Sequence, residues 1–362
     1  MWNRGIGISV FGESHGPAIG VTIENLPSGQ AIDMDKVMRF MQRRAPGYSE
    51  ISTPRKEADI PSVLSGIYNG FTTGTPLTCV INNTDTRSSD YADIPNRPGH
   101  ADYTGFVRYG GYADPRGGGH FSGRLTAPLT FAGAICGQIL ESHGIFTGAH
   151  ISSVADITDR PFDRVNVNKD MLLRLRDKPI PVNDDSIAEK IIAKVKSAMN
   201  EKDSIGGVIE CAIVGLAPGI GSPIFGGIEN EIAAMIFAVP AVKGIEFGAG
   251  FACSDMLGSE CNDEFYIDSG SIKTKTNNNG GILGGISTGM PICFRAAIKP
   301  TPSIAKEQKT VCLRSGKETV ISVQGRHDPC IAVRAVPVIE AAANIAVMGV
   351  FLASPFGRGV MR

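Results

Sequence analysis

The chain has 362 residues, and its 35 lysine and arginine residues nearly balance 36 aspartate and glutamate residues, for a formal net charge of −1 at pH 7. This balance gives no sign of a surface for nucleic acid or another polyanion, and the length is ample for a large hydrophobic core. The 44 glycines and 22 prolines predict many turns and close backbone approaches.

Strand and helix patterns alternate irregularly along the first 150 residues. Residues 6–11 and 21–24 predict strands on either side of a compact polar turn, and residues 77–82 predict another strand. Asp33 is placed to cap a helix that reaches Arg44, and the basic end of that helix complements its dipole. A further helix is expected to open at Thr126-Ala127-Pro128 and to end near residue 143, because proline suits the first helical turn.

The second half of the chain also predicts helices and strands, and elements of one kind tend to follow one another. Ser186 and Glu189 have the spacing of a capping box for a surface helix over 186–200, with an apolar stripe that ends at Met199. The other expected elements are strands at 208–214 and 292–298, a helix at 228–237, and a buried helix from about Val336. Residues 151–184 are expected to be a peripheral excursion. Runs of strands and helices, rather than strict alternation, favour an α+β fold.

The cysteines and the apolar segments bear on location. None of the eight cysteines forms a CxxC pair, and several lie in apolar runs where a reduced cysteine acts as a small hydrophobe. A reducing, cytoplasmic environment is therefore predicted. The first residues, MWNRGIGISVFG, lack the apolar core of a signal peptide. The longest apolar region, 331–353, is interrupted by charged residues and proline, which predicts a buried helix and no membrane contact.

The stretch from Arg97 to Arg124 stands apart from the rest. It combines histidines, arginines and glycines with several aromatic residues and almost no core-type aliphatic ones. Arginines supply forked donors to phosphate or carboxylate groups, glycines allow close backbone approach, and histidine side chains titrate near neutral pH. We expect an ordered active-site loop here. The alternative is a surface loop whose arginines are solvated.

Familiar catalytic motifs are missing from the sequence. It contains no zinc-type Cys/His spacing, no HExxH, no Walker A loop and no GxSxG elbow, so no metal is predicted. What remains is a set of loop residues able to carry protons or bind anions: His15, Arg44, His100, Ser122, Arg124, Lys299, Arg326, Asp328 and Arg334. This set suits a small anionic substrate with a phosphate to expel, without naming the reaction.

Nine segments of the chain resemble the chorismate synthase family and occur in the family order. They are FGESHG (11–16), TPRKEAD (53–59), NTDTRSSDY (83–91), RPGHADYT (97–104), DSIGG (203–207), AVKGIEFG (241–248), GGILGGIS (280–287), KPTPSI (299–304) and GRHDPC with RAVP (325–337). Because they span nearly the whole chain, the resemblance is far more specific than any single motif.

The resemblance implies a lyase that converts 5-enolpyruvylshikimate 3-phosphate to chorismate and phosphate by 1,4-anti elimination, the last step of the shikimate pathway in aromatic amino acid biosynthesis. It implies reduced FMN as cofactor, with NADPH as the indirect electron source. It also implies one domain over 1–362 with a β-α-β sandwich fold, and a homotetramer.

The resemblance also implies residue roles. His15 matches a histidine that protonates the flavin, His100 one that protonates the leaving phosphate, and Asp328 an aspartate that acts with the flavin in removing the C6 proton. Ser14 and Ser122 match serines of the supporting hydrogen-bond network. The implied FMN contacts are His120, Phe121, Ser122, Pro240, Ala241, Gly284, Lys299, Pro300, Thr301, Pro302, Ser303 and Arg326. The implied substrate ligands are Arg44, Arg124 and Arg334.

The chain departs from the family pattern at several positions. The common RSSARET is replaced here by HFSGRLT (120–126), so a basic residue becomes His120 and a glutamate becomes Leu125. Glu50 stands where some members have an arginine linked to NADPH, Pro240 replaces an asparagine, and Asn279 replaces an alanine. No insertion of the kind found in members with their own flavin reductase is present. We therefore expect a monofunctional enzyme that depends on an external flavin reductase.

Two alternatives to an active enzyme remain open at this point. The altered 120–126 segment is compatible with a flavin-binding homologue that has lost catalysis. The loop residues alone are also compatible with an unrelated phosphate-releasing lyase that needs no flavin. Turnover separates the first alternative from an active enzyme, and dependence on reduced FMN separates the second.

Overall fold

Two five-stranded antiparallel sheets frame the molecule. The computed structural model describes residues 1–49, 51, 57–84, 95–323 and 327–357. The strands before residue 100 are β1 (Trp2–Arg4), β2 (Ile6–Gly12), β3 (Ala18–Glu24), β4 (Ser62–Ser65), β5 (Ile67–Tyr68), β6 (Phe71–Thr72) and β7 (Leu77–Asn82). Five of them form the first sheet, in the order β1-β2-β3-β7-β4, and β5 pairs with β6.

The second sheet is built from later parts of the chain. The remaining strands are β8 (Phe146–Val154), β9 (Ile157–Thr158), β10 (Gly207–Val214), β11 (Val242–Phe247), β12 (Phe265–Asp268), β13 (Ser271–Thr274), β14 (Ile282–Leu283), β15 (Ile286–Ser287), β16 (Ile292–Ile298), β17 (Gln308–Cys312) and β18 (Lys317–Ile321). The sheet order is β11-β16-β10-β8-β9, and β12-β13, β14-β15 and β17-β18 are separate hairpins.

The helices of the described residues are α1 (Met34–Gln42), α2 (Asp102–Arg108), α3 (Thr126–Ser142), α4 (Lys169–Arg176), α5 (Asp185–Asn200), α6 (Ile228–Phe237), α7 (Gly258–Cys261) and α8 (Ala332–Ala353). Of these, α3 and α8 pack on each other between the two sheets. α8 contacts β1 and β2 of the first sheet and β8 and β10 of the second. The expected α+β sandwich, with helices between the sheet layers, is therefore confirmed.

Glycines allow the two central helices to pack at short range. A Cβ on Gly133 of α3 would lie 2.5 Å from the carbonyl oxygen of Ala341 in α8, and one on Gly137 would lie 2.6 Å from Nδ2 of Asn344. No side chain fits in that space, because interiors are already close-packed. α8 is long and apolar enough to cross a membrane by length and composition, but its apolar window is completely buried inside the molecule. The expected buried helix is confirmed, although it begins at Ala332 rather than Val336.

Three local expectations need correction. The 97–124 stretch is not a continuous loop, because it contains α2 and the two 3₁₀ segments Arg116–Phe121 and Gly123–Leu125. α5 is capped by Asp184, whose carboxylate accepts the N–H of Ser186, and not by Ser186 itself. Met199 does not complete the apolar stripe of this helix, since it is 47% exposed.

The segment 151–184 is tied to the second sheet. It begins inside β8 and continues into α4, which packs on β8. A buried ionic cluster joins this segment to the second sheet. Nδ1 of His150 in β8 lies 2.9 Å from Oδ2 of Asp159, and its Nε2 lies 2.8 Å from Oε2 of Glu210 in β10. The backbone N–H of Asn183 also donates to Asp159, at 2.6 Å. These contacts hold the segment against β8 and β10.

All eight cysteines are free. Cys79, Cys136, Cys211, Cys293 and Cys330 are buried. Burial raises the pKa of the Cys79, Cys136 and Cys293 thiols to about 12, because a thiolate is poorly solvated in an apolar interior. These three residues therefore serve as small hydrophobes of the core, as the sequence indicates.

Candidate active site

A cleft of about 920 Å³ opens between the sheets beside the first turn of α8, a volume typical of small-molecule sites. Segments that are distant in the sequence converge on it. Its lining draws on residues 97–104, 117–126, 235–243, 299–303 and 327–338, together with Ser14, Arg44, Glu57 and the apolar side chains of Trp2, Ile8 and Val10.

A run of three glycines brings two histidines together. Gly117 and Gly118 have φ angles of 60° and 84°, in the left-handed region that favours glycine. A Cβ on Gly117 would lie 2.5 Å from Nε2 of His15, and a Cβ on Gly118 would lie 3.0 Å from Nε2 of His100. The two imidazoles therefore rest on consecutive residues of one turn. Gly117 and His100 line the cleft, and His15 lies directly against Gly117.

A carboxylate and a guanidinium hold His100. Its Nδ1 lies 2.5 Å from Oδ1 of Asp102 and 3.1 Å from Nη2 of Arg97. Arg97 donates to both oxygens of Asp102, at 2.7 and 2.8 Å. Burial alone would raise the pKa of Asp102, but the hydrogen bonds from Arg97 and His100 lower it well below its ordinary range. Asp102 is therefore ionised at neutral pH.

Arg44 and Arg124 share one buried carboxylate. Asp59 accepts a hydrogen bond from Nη1 of each arginine. Burial lowers the pKa of Arg44 to about 10, although Asp59 acts in the opposite direction. Burial would raise the pKa of Asp59, but Arg44 and Arg124 lower it overall. Arg44 and Asp59 are therefore both charged at neutral pH, and the shared carboxylate fixes the spacing of the two guanidinium groups.

Further contacts orient both guanidinium planes. Arg44 donates to Oγ1 of Thr126 and to the carbonyl of Gly123, each at 3.1 Å. Nε of Arg124 lies 3.0 Å from Oδ1 of Asn83 and 3.2 Å from Oε2 of Glu57. Arg124 is only 5% exposed, so the alternative of a solvated surface arginine does not describe it.

The first turn of α8 contributes an ion pair to the cleft. Nη1 of Arg334 lies 2.5 Å from Oδ2 of Asp328, and its Nε donates to the carbonyl of Arg44 at 2.9 Å. Both side chains are mostly buried, and both residues line the cleft. Arg334 therefore connects Asp328 to the end of α1.

Lysine and hydroxyl groups line the side formed by the segment after β16. Lys299 donates to the carbonyl of Gly99, and Nη1 of Arg97 donates to Oγ of Ser303 at 3.2 Å. Burial, together with the nearby Lys243, lowers the pKa of Lys299. The side chains of 299–303 are thereby joined to the segment that carries His100.

Two buried hydroxyl groups of the cleft lack a hydrogen-bond partner within the described ranges. They are Oγ of Ser14 and Oγ1 of Thr301. A buried hydroxyl without a partner costs free energy. Both positions are therefore suited to a ligand that supplies the missing hydrogen bond.

The altered 120–126 segment is ordered and faces the cleft. Nδ1 of His120 lies 2.9 Å from the carbonyl oxygen of Gly12, to which it donates. Oγ of Ser122 accepts the backbone N–H of Arg124 at 3.3 Å. Phe121 lines the cleft together with His120 and Ser122. The departures from the family pattern thus keep this segment at the site.

Most other expected site residues reach the cleft, but some do not. Pro240, Ala241, Thr301, Pro302 and Ser303 line it. Neither Pro300 nor Gly284, which lies in the turn of the β14-β15 hairpin, is among the lining residues. Arg326 and Glu50 fall outside the described residues. Within the described ranges, no group of three or more His, Cys, Asp and Glu side chains could hold a metal ion.

Sequence reasoning missed the acidic partners of the basic residues. Glu57, Asp59 and Asp102 occur inside the quoted motifs TPRKEAD and RPGHADYT, yet none of the three was named as a candidate site residue. Lys243 was also missed. A signal was available, because buried charges require partners, and an acidic residue next to a basic loop is the nearest candidate.

A family model described as chorismate synthase matches residues 6–352. The chain belongs to the chorismate synthase family. A chorismate synthase of Dehalococcoides mccartyi is 45% identical over 92% of this chain and 91% of its own length. One from Thermococcus kodakarensis is 40% identical over the full length of both. A crystal structure of a chorismate synthase superimposes with a TM-score of 0.74 at 25% identity, covering 96% of this chain and 92% of that one.

Family membership identifies the activity. The chain is a lyase of the shikimate pathway that converts 5-enolpyruvylshikimate 3-phosphate to chorismate and phosphate. This confirms the function expected from the sequence. No observation within the described ranges favours a catalytically impaired homologue or an unrelated phosphate-releasing lyase.

Proposed function

We propose that the cleft binds 5-enolpyruvylshikimate 3-phosphate beside reduced FMN and that His15, His100 and Asp328 carry the proton transfers. One observation carries this proposal: a histidine, His100, shares the cleft with the paired guanidinium groups of Arg44 and Arg124. A proton donor next to an anion-binding wall is the arrangement that expulsion of phosphate requires.

The residues of the cleft fit a flavin mononucleotide. Lys299 and Lys243 give positive charge for its phosphate. Among the residues that the structure describes, none is a hydrogen-bond partner of the Thr301 hydroxyl, and a ligand would supply one. The proposed contacts are His120, Phe121, Ser122, Pro240, Ala241, Lys299 to Ser303 and Arg326. Gly284 is not among the residues that line this cleft, so its contact with FMN is proposed from the resemblance alone. Reduced FMN supplies electron density that assists cleavage of the C–O bond.

His100 acts as the proton donor to the departing phosphate. A protonated phosphate is a better leaving group than its dianion, and a positioned acid typically contributes about a hundredfold or more to the rate. The neighbouring arginines stabilise the charge that develops on the phosphate oxygens. His100 is held by Asp102 and Arg97, so its ring does not have to be ordered when the substrate binds.

The remaining catalytic side chains surround the other groups of the substrate. Asp328 takes part in removing the C6 proton, and its contact with Arg334 fixes the position of its carboxylate. His15 holds a proton beside the cofactor. Ser14 and Ser122 support these groups by hydrogen bonds; the unpartnered hydroxyl of Ser14 is consistent with this role.

Arg44, Arg124 and Arg334 hold the phosphate and carboxylate groups of the substrate. A guanidinium carries five N–H donors, and the three protein acceptors of Arg44 leave N–H groups for a ligand. Because the guanidinium planes are already oriented, less conformational entropy is lost on binding.

The assembly and the electron supply complete the proposal. The enzyme is a cytoplasmic homotetramer, contacts neither nucleic acid nor membrane, and is monofunctional. An external flavin reductase provides reduced FMN, with NADPH as the indirect electron source.

An anaerobic assay of phosphate release from 5-enolpyruvylshikimate 3-phosphate, with and without dithionite-reduced FMN, tests the proposal. Release only with reduced FMN is the expected result. Release without flavin would overturn the cofactor assignment, and tight flavin binding without release would indicate a binding protein. NADPH should not replace dithionite unless a flavin reductase is added, and light scattering should give four times the chain mass.

A further inference from the structure

We propose that Asp102, clamped by Arg97, is the positioning residue that fixes a proton on Nδ1 of His100 and leaves Nε2 to exchange the proton used in catalysis. This inference deepens the proposed function and rests on it, because it assumes that His100 is the acid that protonates the leaving phosphate.

The contacts of Nδ1 assign the tautomer. Nδ1 of His100 lies 2.5 Å from Oδ1 of Asp102 and 3.1 Å from Nη2 of Arg97. Arg97 can only donate, whereas an ionised carboxylate can only accept. An unprotonated Nδ1 would bring its lone pair against the oxygen of Asp102 at the shorter of the two distances, which is repulsive. Because the contact with Asp102 is shorter than the contact with Arg97, it determines the tautomer, and Nδ1 of His100 carries the proton.

Arg97 leaves Asp102 no freedom to rotate. Oδ2 accepts the backbone N–H of Arg97 at 2.9 Å and its Nε at 2.8 Å. Oδ1 accepts Nη2 of Arg97 at 2.7 Å as well as the contact from His100. Both oxygens are thus occupied by donors of known direction, and the carboxylate plane is fixed. A fixed carboxylate fixes the imidazole that donates to it.

A glycine, Gly118, lies on the Nε2 side of the His100 imidazole. Nε2 of His100 faces Gly118, where a Cβ would lie 3.0 Å away. A side chain at this position would crowd the imidazole, so glycine lets the ring keep its place. The ring is held at Nδ1, and because His100 lines the cleft, Nε2 is the nitrogen left for a ligand.

The charged groups around His100 differ in sign. Arg97 contacts it directly, Lys299 reaches its segment through the carbonyl of Gly99, and His15 lies on the neighbouring glycine. Against these cationic groups, Asp102 supplies the negative charge in contact with the ring. Removing that charge should make His100 lose its proton at a lower pH.

Asp102→Asn is the first variant to make, since it keeps the shape and removes the charge. We expect kcat to fall at least tenfold while KM for 5-enolpyruvylshikimate 3-phosphate stays within about twofold, because Asp102 acts through His100 and not on the substrate. The alkaline limb of the kcat profile should move to lower pH by about one unit. A merely structural role would leave the position of that limb unchanged.

Asp159→Asn provides a matched control. Asp159 also pairs with a histidine, His150, but in the buried cluster of the second sheet. This variant should lower the melting temperature and leave the pH profile of kcat in place. If Asp102→Asn behaves in the same way as this control, the positioning role is wrong.

A double variant separates the inference from the function on which it rests. In a His100→Ala background, Asp102→Asn should cause no further loss of kcat, because residues that act as a unit are not additive. A further loss equal to that of the single variant would overturn the inference and leave His100 as the acid. Full turnover by His100→Ala alone would overturn the proposed function, and the inference with it.

Discussion

Replacing Gly117 by alanine should disable the site by moving His15. The new Cβ would lie 2.5 Å from Nε2 of His15 and 2.9 Å from Oγ of Ser14. Non-bonded heavy atoms prefer roughly 3.5 Å or more, so the imidazole must shift by about 1 Å. A misplacement of that size can cost about a hundredfold in rate. The left-handed backbone adds a stability cost of about 1–2 kcal/mol.

A second glycine separates the two effects of this substitution. Gly29 also has a positive φ, 73°, but no atom lies within 4 Å of its potential Cβ. Gly29→Ala should therefore carry the backbone cost alone and keep the wild-type kcat. Urea unfolding and the anaerobic phosphate-release assay should be run on both variants. A wild-type kcat in Gly117→Ala would refute the reasoning, since it would show that the position of His15 does not depend on this glycine.

Three further predictions follow from contacts at and away from the cleft. Arg124→Lys should raise KM for the substrate at least tenfold, because lysine lacks a planar fork; an unchanged KM would count against substrate binding there. Thr301→Val should raise the free energy of unfolding by about 1 kcal/mol and weaken FMN binding, measured by flavin fluorescence; equal FMN affinity would exclude the contact. Burial opposes protonation of His150, but its hydrogen bonds to the carboxylates of Asp159 and Glu210 raise its pKa. Wild-type protein should thus be more stable than His150→Gln by about 3 kcal/mol below pH ~6.5. This advantage should shrink as pH rises through the folded-state pKa, and a constant advantage in urea unfolding between pH 6 and 9 would contradict the assignment.

Elements with a strong local pattern were predictable from the sequence. The strands expected at 77–82 and 292–298 and the helix expected at 228–237 coincide with β7, β16 and α6. Their side-chain periodicity reflects burial on one or both faces of the same element. Asp33 caps α1, as expected, by accepting the N–H groups of Asp35 and Lys36. The α+β class followed from the order of such elements.

Features that depend on tertiary contacts were not predictable in the same way. The glycine content of 97–124 indicates a loop, yet Gly105 lies within α2. Its potential Cβ would be 2.7 Å from Cε2 of Phe121, so glycine is required there by packing and not by a turn. The cap of α5 was ambiguous because Asp184 and Ser186 both suit that position.

The pairing of charged residues across the site could not be predicted from local sequence patterns either. Asp59 meets Arg124 at a separation of 65 residues along the chain, and His15 meets Gly117 across about a hundred. No periodicity connects such positions. The residues alone placed His15, His100 and Asp328 in one candidate set, but only the resemblance to a family gave each a role. Neither singled out Asp59 and Asp102, the carboxylates that hold the cations.

The position of α8 has a consequence for how the chain is made. The first sheet is synthesised early, but α8, the helix that covers β1 and β2, is translated much later: a Cβ on Gly5 would lie 3.0 Å from the carbonyl carbon of Gly349. At about 5–20 residues per second, the ribosome needs roughly 15 s to a minute to reach α8 after the first sheet has emerged. During that interval β1 and β2 lack the helix that covers them. The nascent chain is therefore expected to need a chaperone until α8 has been translated, and deletions that remove α8 should prevent folding rather than shorten the protein.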